Sequence, residues 1–330
     1  MPVDRFLDLT DGVAMVVTDL HGDREAFDLM IEHFRAHHAN RQAQRLILLG
    51  DLIHFYGPPA YDHSLDMMLD LLALREELGE NSVIMLLGNH EMPHIYNVTL
   101  TKGAFEFTPR FEHAMGEHRA RIIDFFKSLP FYIRTAAGVM LSHAGPAIDS
   151  VGHVETLRRL DHDALLAEAD NTLAQADDLE PYYDQYANVT GEPYREAARR
   201  LHAINGPADP RYPHLLRGFA ISQQNRQFDI LWNALFTQNE SGLTEEAYTN
   251  GCQVFLQTFS VDAPCPQNVI VSGHIATPSG GHTLVNRQHL RMASAAHARP
   301  REAGQYLLLD CTLPQRAAPQ LLGSLRNLFD

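Results

Sequence analysis

The chain has 330 residues, of which 45% are hydrophobic and 20% charged, and its formal net charge is −15. The composition suits one large globular domain or two modest ones. The acidity argues against general nucleic-acid binding, which needs clustered Lys and Arg to neutralise phosphates.

No apolar run approaches the roughly 18 to 20 residues of a membrane span. Residues 1–20 also lack the basic and apolar regions of a secretory signal. No membrane contact and a cytoplasmic location are therefore expected. The three cysteines, Cys252, Cys265 and Cys311, show no paired spacing and read as inert thiols rather than a disulfide or zinc framework.

In chain order, Val13 to Asp19 reads as a buried strand and Arg24 to His37 as an amphipathic helix. Leu46 to Gly50 is a second strand, with a helix over about 64–78, and Val83 to Gly88 is a third. Uniformly apolar strands separated by helices predict an α/β fold whose sheet is covered by helices. A helix near 112–128 leads to a hairpin through Phe131 to Thr135 and Val139 to Ser142. Residues from about 151 to 262 have helical spacing and read as an insertion within a single domain spanning 1–330. Strands return at Val269 to Ser272, Thr283 to Asn286 and Tyr306 to Cys311, and a final helix is expected near 320–329.

Five of these strands end in short polar turns: Asp19-Leu20-His21-Gly22, Gly50-Asp51, Gly88-Asn89-His90-Glu91, His143 and Gly273-His274. Ligands of α/β sheets bind beyond the carboxyl ends of the strands, so the turns should face one crevice. Carboxylates and imidazoles together suit Mn, Fe, Zn or Co better than Ca or Mg, which prefer all-oxygen shells. Asp19 and His21 can aim at one ion, and the two oxygens of Asp51 can bridge two.

The ordered set D-x-H-G, G-D, G-N-H-E, H and G-H resembles the calcineurin-like metallophosphoesterase superfamily. A preset four-residue string such as G-N-H-E arises by chance roughly once in several hundred chains of this length. Asp-Leu-His-Gly-Asp at 19–23, Ala276 two residues after His274, and Asp229-Ile-Leu-Trp-Asn233 are most similar to the phosphoprotein-phosphatase branch, its bacterial members above all.

The resemblance implies a four-layer α/β/β/α sandwich with a helical insertion. It implies two divalent or trivalent ions, Mn2+ and/or Fe first and Zn as an alternative. Asp19, His21 and Asp51 would hold metal one, and Asp51, Asn89, His143 and His274 metal two. It further implies in-line hydrolysis of a phosphomonoester by a hydroxide bridging the ions, with His90 as the catalytic proton donor. The partner would be a phosphorylated small molecule, nucleotide or protein.

The pattern departs from that branch in its second motif, which normally runs G-D-x-V-D-R-G. Here His54 stands where an Asp would orient the proton-donating histidine, and Phe55 where an Arg would grip phosphate. No Arg lies between Trp232 and His274 either. Arg217 and Lys102 are the candidate substitutes in phosphate binding, beside Asn89. Two further readings stay open: a dinucleoside-tetraphosphatase-like hydrolase and a metal-binding scaffold without turnover. A dinucleotide-dependent oxidoreductase is disfavoured because no G-x-G-x-x-G follows the first strand. His33, His37 and His38 read as solvated, Trp232 and the tyrosines at 182, 183 and 186 as packing residues, and His282 and His289 as non-ligands.

Overall fold

The computed structural model describes residues 4–102 and 105–330. Its strands are β1 (Phe6–Leu9), β2 (Val13–Val17), β3 (Arg45–Leu48), β4 (Val83–Met85), β5 (Thr101–Lys102), β6 (Phe105–Glu106), β7 (Tyr132–Thr135), β8 (Val139–Ser142), β9 (Val269–Ser272), β10 (His282–Asn286), β11 (His289–Met292), β12 (Gln305–Asp310) and β13 (Leu325–Asn327). Helices α1 (Arg24–Ala39), α2 (Ser64–Leu78), α3 (Met92–Tyr96), α4 (Phe107–Met115) and α5 (Arg119–Ser128) connect the early strands. Between β8 and β9 run α6 (Val154–Arg158), α7 (His162–Ala174), α8 (Glu180–Thr190), α9 (Tyr194–His202), α10 (His214–Gln224), α11 (Arg226–Leu235), α12 (Asn239–Gly242) and α13 (Glu245–Phe259).

Two sheets form the centre. One has the order β1-β7-β8-β9-β11-β10 and the other β13-β12-β2-β3-β4. Alternate side chains of each strand point to opposite faces, and the two hydrophobic clusters divide along that alternation. Ala14, Val16, Ile47, Val139, Leu141, Val271 and Leu307 belong to the cluster shared by the facing sheets. Met15, Val17, Leu46 and Leu48 belong to the cluster that contains Phe27, Met30 and Phe34 of α1 and Met67, Met68 and Leu71 of α2. Tyr132, Met140 and Ile270 of the other sheet sit in that same helix-bearing cluster with Phe255 and Phe259 of α13. The layers are thus helix, sheet, sheet and helix, as the resemblance implies.

The helices between β8 and β9 divide their packing. Leu157, Leu165, Phe228 and Leu231 join the main core, while Leu173, Tyr186, Tyr194, Leu201 and Leu216 form a cluster of their own. Tyr183 stacks on Tyr194 at 4.2 Å, and half-buried Trp232 stacks on Phe236 at 4.1 Å. Both serve packing, as expected.

Four local expectations change. The helix near 112–128 is two helices, broken at Gly116, whose φ of 48° lies in the left-handed region. The last segment is not a helix: a 3-10 turn over Ala318–Ser324 gives way to β13, which pairs antiparallel with β12. Gly323-Ser324 is weak helix material, and the open edge of β12 offers its backbone groups a ladder. Strand β11 went unexpected because His289 and Arg291 make it look polar, yet both are buried. Finally, His33 and His37 are half-buried rather than solvated: they bond Leu328 O at 3.0 Å and Tyr306 Oη at 3.0 Å, tying α1 to the last strands.

Candidate metal centre

Each expected ligand lies just past the carboxyl end of a strand. The β2-β3-β4 side contributes Asp19, His21, Asp51 and Asn89, and the ends of β8 and β9 contribute His143 and His274. The two sheets therefore meet in one centre. Asp51 stands between its halves: its Oδ2 lies 3.6 Å from His21 Nε2 and 3.5 Å from His143 Nε2. Among the described residues, ligand atoms within 4.8 Å of one another form three groups: Asp19-His21-His297, His21-Asp51-His90 and Asp51-His143-His274.

The backbone is strained to achieve this. Among the described residues, positive φ occurs at His21 (48°), Asp51 (53°), His54 (75°) and His274 (69°), half of the non-glycine cases in the chain. Such conformations cost on the order of 1–3 kcal/mol each and gather where surrounding structure over-determines them. Two glycines permit the close approach. A Cβ on Gly88 would strike Asp51 Oδ1 and Glu91 Oε2, and one on Gly273 would strike Asp19 Oδ2.

Hydrogen bonds then aim the imidazoles. His21 Nδ1 lies 3.1 Å from Ile53 O, and His143 Nδ1 lies 2.8 Å from Leu49 O. A carbonyl only accepts, so both Nδ1 atoms carry hydrogen and both Nε2 atoms present lone pairs to the centre. His21 Nε2 and His274 Nε2 are buried without a hydrogen-bond partner. His143 Nε2 faces Asn89 Oδ1 at 2.7 Å. Two acceptors at that separation suit a shared cation. Burial pushes the His21 and His274 imidazoles down to about 3, so both stay neutral and ligand-competent at pH 7. Burial and the neighbouring Asp19 charge drive the Asp51 carboxyl well above its usual range. Burial alone would raise Asp19 as well, but its hydrogen bond to His297 and the nearby imidazoles hold it low. A cation relieves this crowding of carboxylates. Residue types, lone pairs and burial all fit bound metal.

Glu91, given no role by sequence reasoning, is the clamp of the loop. Its buried carboxylate accepts from Asp51 N at 3.0 Å, Leu52 N at 3.0 Å and Gly88 N at 3.2 Å. His90 N donates to Asp51 Oδ1 at 3.0 Å, and its Nε2 sits 3.9 Å from Asp51 Oδ2.

The residue most plainly missed is His297. Its Nε2 is 3.5 Å from Asp19 Oδ1, and its carbonyl accepts from Thr277 N at 3.0 Å. The loop after β11 thereby brings an imidazole beside the segment where Ala276 offers none. Its sequence signal is faint, a histidine in the small-residue run Ala293–Ala298.

A cavity of about 770 Å³ opens over the centre, lined by His21, His274 and His297 and by Phe55, Tyr56, Phe105, Lys102, Arg299 and Arg301. Lys102 thus reaches the site, over the Tyr56 ring at 5.1 Å. Arg217 does not: it pairs with Asp170 at 2.9 Å and lines a different cavity between α5, α7 and α10. The helices between β8 and β9 thus place it away from the strand ends. Arg301 is spent on Asp23 and Glu25, whereas the guanidinium of Arg299 bonds only the carbonyls of Ala296 and Ala298 among the described residues.

The profile of the calcineurin-like phosphoesterases matches residues 13–207, more than half of the chain. The chain belongs to the calcineurin-like phosphoesterase family. Membership makes it a metal-dependent phosphoric ester hydrolase, and its His/Asp groups are ones that can hold the divalent ions the family implies.

Among solved structures, a protein serine/threonine phosphatase from Saccharomyces cerevisiae is 13% identical with a TM-score of 0.45, covering 93% of this chain and 77% of that one. A cold-active protein-tyrosine phosphatase of a psychrophilic Shewanella species is 14% identical with a TM-score of 0.42, covering 94% and 78%. A metallophosphoesterase from Sphaerobacter thermophilus is 13% identical with a TM-score of 0.36, covering 90% and 83%. At such distances no activity carries across. No curated protein is a significant match to the chain. Among the described residues no helix is long and apolar enough to cross a membrane.

Proposed function

We propose that this calcineurin-like phosphoesterase hydrolyses phosphomonoesters, phosphorylated proteins among them, with two metal ions. Asp19, His21, Asp51 and His297 would hold metal one, and Asp51, Asn89, His143 and His274 metal two. The observation that carries this reading is the pair of buried, unpartnered Nε2 atoms on His21 and His274, on either side of Asp51. The mixed N/O donor set favours Mn2+ or Fe, then Zn. Two ions held there would supply Lewis-acid chemistry, acidifying water and offsetting phosphoryl charge.

The chain's own groups do the rest. Asn89 contributes a neutral oxygen, so the site does not repel an anionic substrate further. His90 Nε2 faces the centre and gives its proton to the leaving oxygen. Lys102 and Arg299 at the cavity wall supply the positive charge that Phe55 does not. The aromatic wall of Phe55, Tyr56 and Phe105 also favours a second reading, a dinucleoside polyphosphate hydrolase, since rings of this kind stack bases.

The test is turnover after stripping the protein and restoring Mn2+. Two bound ions per chain, with p-nitrophenyl phosphate hydrolysed, support the proposal. Two ions without turnover would leave a metal-binding scaffold, and fewer than two would sink the dinuclear site. Phosphopeptides compared with dinucleoside tetraphosphates then separate the two substrate readings.

A further inference from the structure

His90 begins a buried line of imidazoles that ends on a carboxylate. Its Nδ1 lies 2.9 Å from His54 Nδ1, His54 Nε2 lies 2.8 Å from His94 Nε2, and His94 Nδ1 lies 2.7 Å from Glu112 Oε1. All four residues are at most 5% exposed. They come from four places: the turn after β4, the loop after β3, α3 and α4. Phe107 stacks on His54 at 5.2 Å and Phe111 meets His94 edge-on at 5.1 Å, walling the line from water.

The far end sets the direction of every bond. A carboxylate only accepts, so His94 Nδ1 carries hydrogen and its Nε2 is bare. His54 Nε2 must then donate to it, which leaves His54 Nδ1 bare, and His90 Nδ1 must donate in turn. The nitrogen of His90 left for the substrate is Nε2, the one that faces Asp51 and, at 3.5 Å, Tyr56 Oη. Glu112 is kept an acceptor: Arg119 Nε donates to its other oxygen at 2.7 Å. Burial would favour its neutral form, but the nearby His202, the bond to His94 and the Arg119 charge hold its carboxyl well below the usual range.

We propose that Glu112 is the positioning carboxylate of His90, acting through His94 and His54 to fix which imidazole nitrogen meets the leaving group. His54, standing where the related motif carries Asp, is thus a relay and not a lesion. The proposal rests on His90 being the proton donor. In that step water oxygen bonds to phosphorus and releases a proton to solvent. With hydrogen on Nδ1 alone, resting His90 has a bare Nε2, so the donor form is the imidazolium, which takes its Nε2 proton from solvent before the step. The ester P–O bond breaks with its electron pair on the leaving oxygen, and that oxygen takes the Nε2 proton. His90 is left neutral, with its hydrogen on Nδ1 toward His54.

The experiment compares phenyl phosphate, whose leaving group needs a proton, with p-nitrophenyl phosphate, whose leaving group needs little. Glu112→Gln should lower kcat on phenyl phosphate by roughly 10- to 100-fold, less on p-nitrophenyl phosphate, with KM and metal content unchanged. His54→Asp puts a carboxylate directly against His90 Nδ1, and in that background Glu112→Gln should cost far less, a non-additivity that a structural role does not produce. His94→Asn cuts the line while leaving Glu112 on Arg119, and should reproduce the same substrate dependence even if Glu112→Gln folds poorly. Equal slowing of both substrates, or an undiminished effect of Glu112→Gln in the His54→Asp background, overturns the relay. If His90→Asn itself leaves phenyl phosphate turnover intact, the donor role fails first. If His90→Asn is slow while Glu112→Gln and His94→Asn are normal, only the relay fails.

Discussion

Asp51 and His297 carry the most testable weight at the scale of single residues. Asp51 lies between His21 and His143 and is raised by burial and by Asp19, so its charge is the one that bound cations most reward. Asp51→Asn is expected to abolish turnover and to lower metal occupancy measured by elemental analysis; normal activity would end the two-metal proposal. His297→Ala should weaken one ion by at least about tenfold, in line with losses at metal-supporting residues, while the other stays bound. Calorimetric titration of the stripped protein with Mn2+ reads this as one shifted binding step. Two unshifted steps would return His297 to a mere hydrogen-bond partner of Asp19. His90→Asn should keep both ions and slow turnover by roughly 10² to 10⁴. Loss of metal in that variant would make His90 a support of the ligands.

Among the elements, the turn after β4 controls the loop after β3. Gly88 lets Asp51 and Glu91 pass within contact, and Glu91 then collects the backbone N–H groups of Asp51 and Leu52. A methyl group at position 88 cannot be absorbed by a flexible side-chain end, because the Asp51 backbone is among its neighbours. Gly88→Ala should therefore destabilise the fold by about 1–3 kcal/mol in urea melts, the usual range for overpacking. It should also weaken metal binding, since Asp51 moves with its loop. Unchanged stability together with unchanged metal affinity would show that the loop has more room than these contacts allow.

Across the whole molecule, buried neutral histidines make the fold acid-sensitive. His289 is pushed down to about 3 by burial, between Tyr248 Oη at 2.6 Å and Ser272 Oγ at 2.8 Å. His162, bonded to Tyr96 Oη at 2.6 Å, is also held well below the ordinary histidine range by burial. Below about pH 6.5 the unfolded chain takes up protons at these positions and the folded one does not. Their stabilisation is thus complete above about 6.5 and falls as pH drops toward the folded value, by up to about 1.4 kcal/mol per pH unit for each group. Urea midpoints should decline from pH 7 to pH 5, and His289→Gln should flatten that decline. A flat wild-type profile would mean these imidazoles are protonated in the fold.

The strands β2, β3 and β4, their helices and the gathering of the six proposed ligands at strand ends are legible in the sequence because each depends on local pattern: apolar runs, helical spacing and short motifs at the point where a strand stops. Lys102 is legible only as a spare cation, and the place of Arg217 away from the strand ends is not legible, because nothing local says which way the helices after β8 pack. What tertiary structure alone decided are the contacts between segments far apart in the chain. His297 reaches Asp19 because β11 lies beside β9, Glu91 reaches across to the Asp51 loop, and Glu112 comes to His90 only through His94 and His54. Strand β11 itself was hidden because its buried His289 and Arg291 find partners on other elements. A sequence motif records the residues that gather at the strand ends, and the packing of separate elements chooses the residues that hold them in place.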